Sequence, residues 1–122
     1  MNELQIRPGR LLYGGEWHDA KSGRTFDSIN PATGKGITRV AAAGKEDVDA
    51  AVTAAHKAFT DGAWPKMSGA DRAKCLWRLG DLLEQHKEEV AQLETLDSGK
   101  PIRDTLGVDV PSAADCFRYF AG

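Results

Sequence analysis

Few cysteines, few aromatics and no long apolar run are the first things this chain of 122 residues presents. Its two cysteines, Cys75 and Cys116, are widely spaced and each falls in a helical pattern. They do not suggest a disulfide-built scaffold, and they read as reduced, buried thiols in a cytosolic protein. No apolar stretch approaches the roughly 20 residues that span a bilayer. The opening MNELQIRPGR has no continuous apolar segment of the signal-peptide kind. Aromatics make up 7% of the chain, and the three tryptophans have no basic patch between them. They read as packing anchors, not as a stacking platform for nucleic acid. A formal net charge of −2 leaves no electrostatic case for nucleic acid or an anionic membrane as partner.

Signatures of chemistry are also missing. No G-x-G-x-x-G occurs, and no helical segment sits between two buried parallel strands, so a complete dinucleotide-binding unit is absent. Gly34-Lys35-Gly36-Ile37-Thr38 and Ser98-Gly99-Lys100 both lack the full phosphate-loop spacing, and read as a hairpin turn and a helix cap. His18, His56 and His86 are far apart in sequence, with no Cys, Asp or Glu at metal-ligand spacing around them, and read as surface or boundary residues. Neither cysteine has a local base to lower its pKa, so neither reads as a nucleophile.

What is present is an ordinary globular pattern, 41% apolar and 28% charged, sized for one domain over residues 1–122. Residues 1–10 are expected as a loose arm. Leu11-Leu12-Tyr13, Gly14-Gly15 and Glu16-Trp17-His18 predict a hairpin with a tight turn. Strands are expected over 25–29 and 37–42, joined by the Asn30-Pro31-Ala32-Thr33-Gly34 turn. From Lys45 the period becomes helical, with Val48, Val52, Ala55 and Phe59 on one face and Trp64 expected between this helix and the next.

The longest patterned stretch runs from Ser68 to Pro101. Ser68 and Asp71 have capping-box spacing, and Leu76, Leu79, Leu83, Val90, Leu93 and Leu96 form an apolar stripe. His86 falls in or near that stripe, which predicts a break or bend around 85–87. Gly99 and Pro101 close the stretch. Beyond them a short helical turn over 102–106 is expected, interrupted at Gly107. A last helix follows, with Asp109 as its cap and Pro111 in its first turn. The fold class is α/β: short N-terminal antiparallel strands followed by several helices.

Six segments in register resemble the N-terminal part of the NAD(P)-dependent aldehyde dehydrogenases. They are Leu11-Leu12-Tyr13-Gly14-Gly15-Glu16-Trp17, Asn30-Pro31-Ala32-Thr33-Gly34, Asp47-Val48-Asp49-Ala50-Ala51-Val52 and Trp64-Pro65. Leu93-Glu94-Thr95-Leu96-Asp97-Ser98-Gly99-Lys100-Pro101 and Phe117-Arg118-Tyr119-Phe120-Ala121-Gly122 complete the set. The resemblance covers essentially everything after Pro8, and the run 93–101 is its most specific part. It implies an incomplete portion of a coenzyme-binding domain, stopping inside a helix, from an enzyme that oxidises an aldehyde to an acid. In that family a cysteine attacks the aldehyde, NAD or NADP takes the hydride, and a glutamate assists hydrolysis of the thioester. The resemblance places all those groups downstream, so no catalytic or cofactor-binding residue is expected here, and the chain alone is expected to be inert and to bind no cofactor.

The same resemblance implies two residue sets. Ile29, through its main chain, and Asp97 would hold a monovalent cation together with a ligand from elsewhere; the other reading of Asp97 is a helix-end residue bonded to nearby amides. Val108, Asp109 and Ser112 would line the substrate entrance, with Asp109 suggesting a polar or cationic aldehyde; the other reading is ordinary packing, with Asp109 as an N-cap. A cytoplasmic location, a homo-oligomer at full length and self-association of this chain are further expectations. A free-standing, non-catalytic interaction module on the same scaffold is the alternative function.

Overall fold

A computed structural model describes residues 4–122. Its described residues divide into two compact units: one holds residues 6–29 and 36–66, the other residues 4–5, 30–35 and 67–122.

In the first unit, strands β1 (Leu11–Tyr13) and β2 (Glu16–His18) form an antiparallel hairpin with Leu12 opposite Trp17. Gly14 and Gly15 both carry positive φ, 62° and 82°, which the two-residue turn requires and a side chain would resist. The Tyr13 and His18 rings stack with centroids 4.0 Å apart. Strands β3 (Thr25–Ile29) and β4 (Gly36–Ala41) form a second antiparallel pair with an irregularity between Ser28 and Ile29.

The segment expected as a loose arm is tied down before residue 10. Gly9 bridges Val40: its N–H donates to the Arg39 carbonyl at 2.8 Å, and its carbonyl accepts from Ala41 at 2.9 Å. The Thr38 hydroxyl donates to the Arg7 carbonyl. Residues 1–3 of that arm lie outside the described residues.

Helix α1 (Lys45–Asp61) starts where Asp47 lets it start. The Asp47 side chain is 2% exposed and accepts from the Gly44 N–H at 2.8 Å and the Lys21 N–H at 3.1 Å. One carboxylate thus satisfies a helix-end donor and fixes the turn before β3 to the start of α1. The Gly44 bond, then the Lys21 bond, hold the Asp47 pKa below the ordinary carboxylate value. The apolar face expected on α1 is largely uncovered: Val52 is 61% and Phe59 75% exposed. Trp64, in the 3-10 turn Trp64–Lys66, is also exposed and not tucked away.

In the second unit, α2 (Gly69–Gln85) and α3 (Lys87–Ser98) meet at His86, the bend the sequence predicts. Ser68 caps α2 by accepting from the Asp71 N–H at 3.1 Å. The Asp71 carboxylate takes the Ser68 hydroxyl and Lys74 rather than the cap N–H, so only half of the capping box forms. Gly99 ends α3 at φ 78°, the left-handed cap position. A short helical turn, α4 (Ile102–Asp104), and a π turn over Thr105–Asp109 lead without a break into α5 (Val110–Ala121).

Helices α2 and α5 pack through Gly80, whose missing side chain lets the Ala114 carbonyl come within 2.9 Å of where a Cβ would sit. Arg118 of α5 crosses to Asp81 at 3.0 Å, contacts Asp115 at 3.2 Å and lies over the Trp77 ring at 5.9 Å. Among the described residues the buried apolar side chains are small: Ala20, Ala41, Ala91, Val110 and Ala114. The leucine stripe is half-buried, with Leu79 and Leu93 exposed, and Tyr119 and Phe120 are open to solvent. No described helix is long and apolar enough to cross a membrane.

Candidate functional site

The π turn is the local structure on which the expected entrance residues sit. Its cause is Pro111. In an α-helix the Pro111 position would donate to the Gly107 carbonyl, but proline has no N–H and its ring crowds that carbonyl. One extra residue in the turn relieves the conflict, and the Val110 N–H donates to the Thr105 carbonyl five residues back. Gly107, expected to interrupt the helix, lies inside this turn with open space where a side chain would be.

Thr105 anchors the turn from below. It is 0% exposed. Its hydroxyl lies 3.1 Å from the Ala91 carbonyl, 3.2 Å from the Ile102 carbonyl and 2.9 Å from the Thr95 hydroxyl. A buried hydroxyl with partners on two helices sets where the turn sits against α3.

On the outside, Val108 is 58% exposed and Ser112 is exposed, so both present themselves to solvent from the π turn and the first turn of α5. Asp109 departs from the capping expectation. Its backbone is helical, φ −67° and ψ −51°, and its side chain makes no cap bond. The turn continues straight into α5, so no orphan donors are left there for a cap. The carboxylate instead receives Lys100 Nζ on both oxygens, at 2.7 and 2.6 Å. Hydrogen bonding to Asp109 raises the Lys100 pKa above the ordinary lysine value, keeping the ammonium charged. The structure therefore brings Val108, Asp109 and Ser112 onto neighbouring turns of one unit, with the acid already paired.

Ile29 and Asp97 fall in different units. Ile29 is the exposed last residue of β3, opposite Gly36 beside the irregularity. Asp97 is exposed in the last turn of α3. Among the described residues, no three His, Cys, Asp or Glu side chains converge as metal ligands.

Cys75 and Cys116 are free but exposed, not buried as expected: each lies on a helix position that no described neighbouring element covers. The first unit carries an open groove of about 790 Å³ between the β1–β2 hairpin and α1, walled by Leu12, Tyr13, Ala51, Ala54 and Ala58. Its walls are mostly apolar, with Lys57 and Asp61 at the side, and no cysteine, serine, threonine or histidine lines it. Two features escaped the sequence reading, Thr105 and the Lys100–Asp109 pair. Pro111 four residues after Gly107 was the available signal for the π turn; nothing in one dimension pointed to the ion pair.

Hairpin, second strand pair and a helical unit built around a π turn define a partial α/β domain, and comparison places it. The aldehyde dehydrogenase family model matches residues 17–122. The chain is 45% identical over 119 residues to the mitochondrial aldehyde dehydrogenase family 2 member B4 of Arabidopsis thaliana, covering 98% of this chain and 22% of that protein. It is 44% identical over 119 residues to the mitochondrial benzaldehyde dehydrogenase of Antirrhinum majus, covering 98% and 22%. The NAD+ complex of an aldehyde dehydrogenase from Bacillus cereus superposes with a TM-score of 0.92 at 43% identity, covering 95% of this chain and 24% of that one. The chain belongs to the aldehyde dehydrogenase family, as its N-terminal segment, and spans about a quarter of the length of these relatives.

Proposed function

We propose that this chain is the N-terminal scaffold of an NAD(P)-dependent aldehyde dehydrogenase, which converts an aldehyde and water to a carboxylic acid while the cofactor takes the hydride. The observation that carries this reading is the near-complete coverage of the chain by family members at 43–45% identity. The cofactor supplies the hydride acceptor. The described residues of this chain do not fit it as a cradle: both sheets are two-stranded and antiparallel, and no glycine-rich strand-to-helix loop is present. No chemical step is therefore assigned to these residues. Their part is structural, plus the surface offered by Val108, Asp109 and Ser112, which in this reading lines the substrate entrance.

A cation held with the help of Ile29 and Asp97, a cytoplasmic location and a homo-oligomer belong to the same proposal and rest on the resemblance. The test is a chimera in which residues 17–122 replace the matching segment of the Bacillus cereus enzyme. The chimera should reduce NAD(P)+ with a panel of aldehydes, while the chain alone should not. A soluble, folded chimera without activity, or turnover by the chain alone that is lost on Cys75→Ser or Cys116→Ser, would overturn the reading.

A further inference from the structure

We infer that Lys100 is a specificity-determining residue, which makes the entrance formed by Val108, Asp109 and Ser112 selective for neutral over cationic aldehydes. This deepens the reading above and rests on it. Taken alone, an acid between an exposed valine and an exposed serine would favour a cationic substrate. The structure does not leave the acid alone. Lys100 Nζ sits 2.7 and 2.6 Å from the two Asp109 oxygens, the shortest ion-pair geometry on this face. An approaching substrate therefore meets a compact dipole in place of a net charge, and the field of a dipole falls off faster with distance than that of a single charge.

Lys100 is held for this role from both sides. Gly99 in the left-handed conformation turns the chain at the end of α3, and Pro101 follows immediately with its φ fixed at −59°. The Lys100 N–H donates to the Ser98 hydroxyl at 3.2 Å. On the other side the buried Thr105 hydroxyl fixes the π turn that carries Asp109. Asp104 and Glu94 add acidic charge near Lys100, and Asp104 is itself paired with Arg103 at 3.1 Å, which leaves Asp109 as the short contact. Lys100 thus acts through Asp109 and is a positioning residue, not one that touches the reacting atoms.

The experiment uses the chimera and two probes of the same shape, trimethylammonioacetaldehyde and its neutral carbon isostere tert-butylacetaldehyde. The readout is the ratio of kcat/KM for the cationic over the neutral aldehyde. Lys100→Met uncovers the carboxylate and should raise that ratio by roughly 3- to 10-fold, the effect of one charge several ångströms away in a partly screened site. Lys100→Arg should restore the parent ratio. Lys100→Met combined with Asp109→Asn should also return to it, and added NaCl should shrink the difference. A purely structural role for Lys100 would lower both kcat/KM values together and leave the ratio unmoved, which would overturn the inference. Val108→Trp separates the two levels. If it depresses turnover of both aldehydes, the entrance reading stands and the Lys100 result judges this inference alone. If it changes neither, the entrance reading falls and this inference with it. A readout without turnover is available in the 122-residue chain. Lys100 Nζ should acetylate slowly and speed up in Asp109→Asn, whereas equal rates would refute the pairing.

Discussion

Replacing Gly80 by alanine should destabilise the chain, although alanine is the better helix former. Alanine in a helix interior gains about 1 kcal/mol over glycine. Against that, a Cβ at position 80 would stand 2.9 Å from the Ala114 carbonyl oxygen, 3.1 Å from Arg118 Cγ and 3.3 Å from Arg118 Nε. The first contact is backbone, so α2 and α5 must separate by a few tenths of an ångström. Overpacking of this kind costs about 1–3 kcal/mol. The same separation disturbs the 3.0 Å contact of Arg118 with Asp81. The net expectation is a loss of about 1–2 kcal/mol. Gly107→Ala is the control: nothing lies within 4 Å of its Cβ position and its φ is not positive. There the alanine preference should survive as a gain of about 0.5–1 kcal/mol. Urea titration followed by circular dichroism reads both, and at a slope of roughly 1–3 kcal/mol per molar the Gly80→Ala midpoint should fall by about 0.3–2 M. Equal stabilisation by the two substitutions would refute close packing at Gly80.

Four further outcomes are expected. Thr105→Val keeps the shape but strips the hydroxyl from the Ala91 and Ile102 carbonyls and from Thr95, and should cost about 1–2 kcal/mol by the same titration, whereas Thr105→Ser should cost less. Gly99→Ala meets both a positive φ of 78° and the Pro31 ring at 2.9 Å, so thermal melting should show a loss of more than about 1 kcal/mol. Because Asp47 has its pKa lowered by the Gly44 and Lys21 amides, it stabilises the fold above the ordinary carboxylate pKa. That contribution disappears as pH falls through the lower, folded-state value, so Asp47→Asn should flatten the acid limb of stability measured between about pH 5 and pH 2. The exposed Val52, Phe59, Tyr119 and Phe120 predict binding of a dye such as ANS and self-association of the chain as concentration rises; a compact monomer that binds no dye would favour the free-standing module.

Short-range chemistry alone determined much of this protein. Gly14-Gly15 dictates the hairpin turn, Asn30 closes its own turn by accepting from the Ala32 N–H at 2.9 Å, Ser68 caps α2, and Gly99 ends α3. Each of these depends on atoms within a few residues, so each is legible in one dimension. The break at His86 and the order of strands before helices followed from periodicity in the same way. Tertiary structure decided what depends on distant partners. Asp47 looks like any first-turn acid until Lys21 is folded against it, and the face of Val48, Val52 and Phe59 looks like core until nothing within its unit covers it. Asp109 looks like an N-cap until the π turn removes the orphan donors and Lys100 reaches its carboxylate. A cap residue and an ion-pair acceptor are the same side chain in sequence. Which one forms depends on whether the preceding backbone ends or continues, and here Pro111 and the buried Thr105 make it continue.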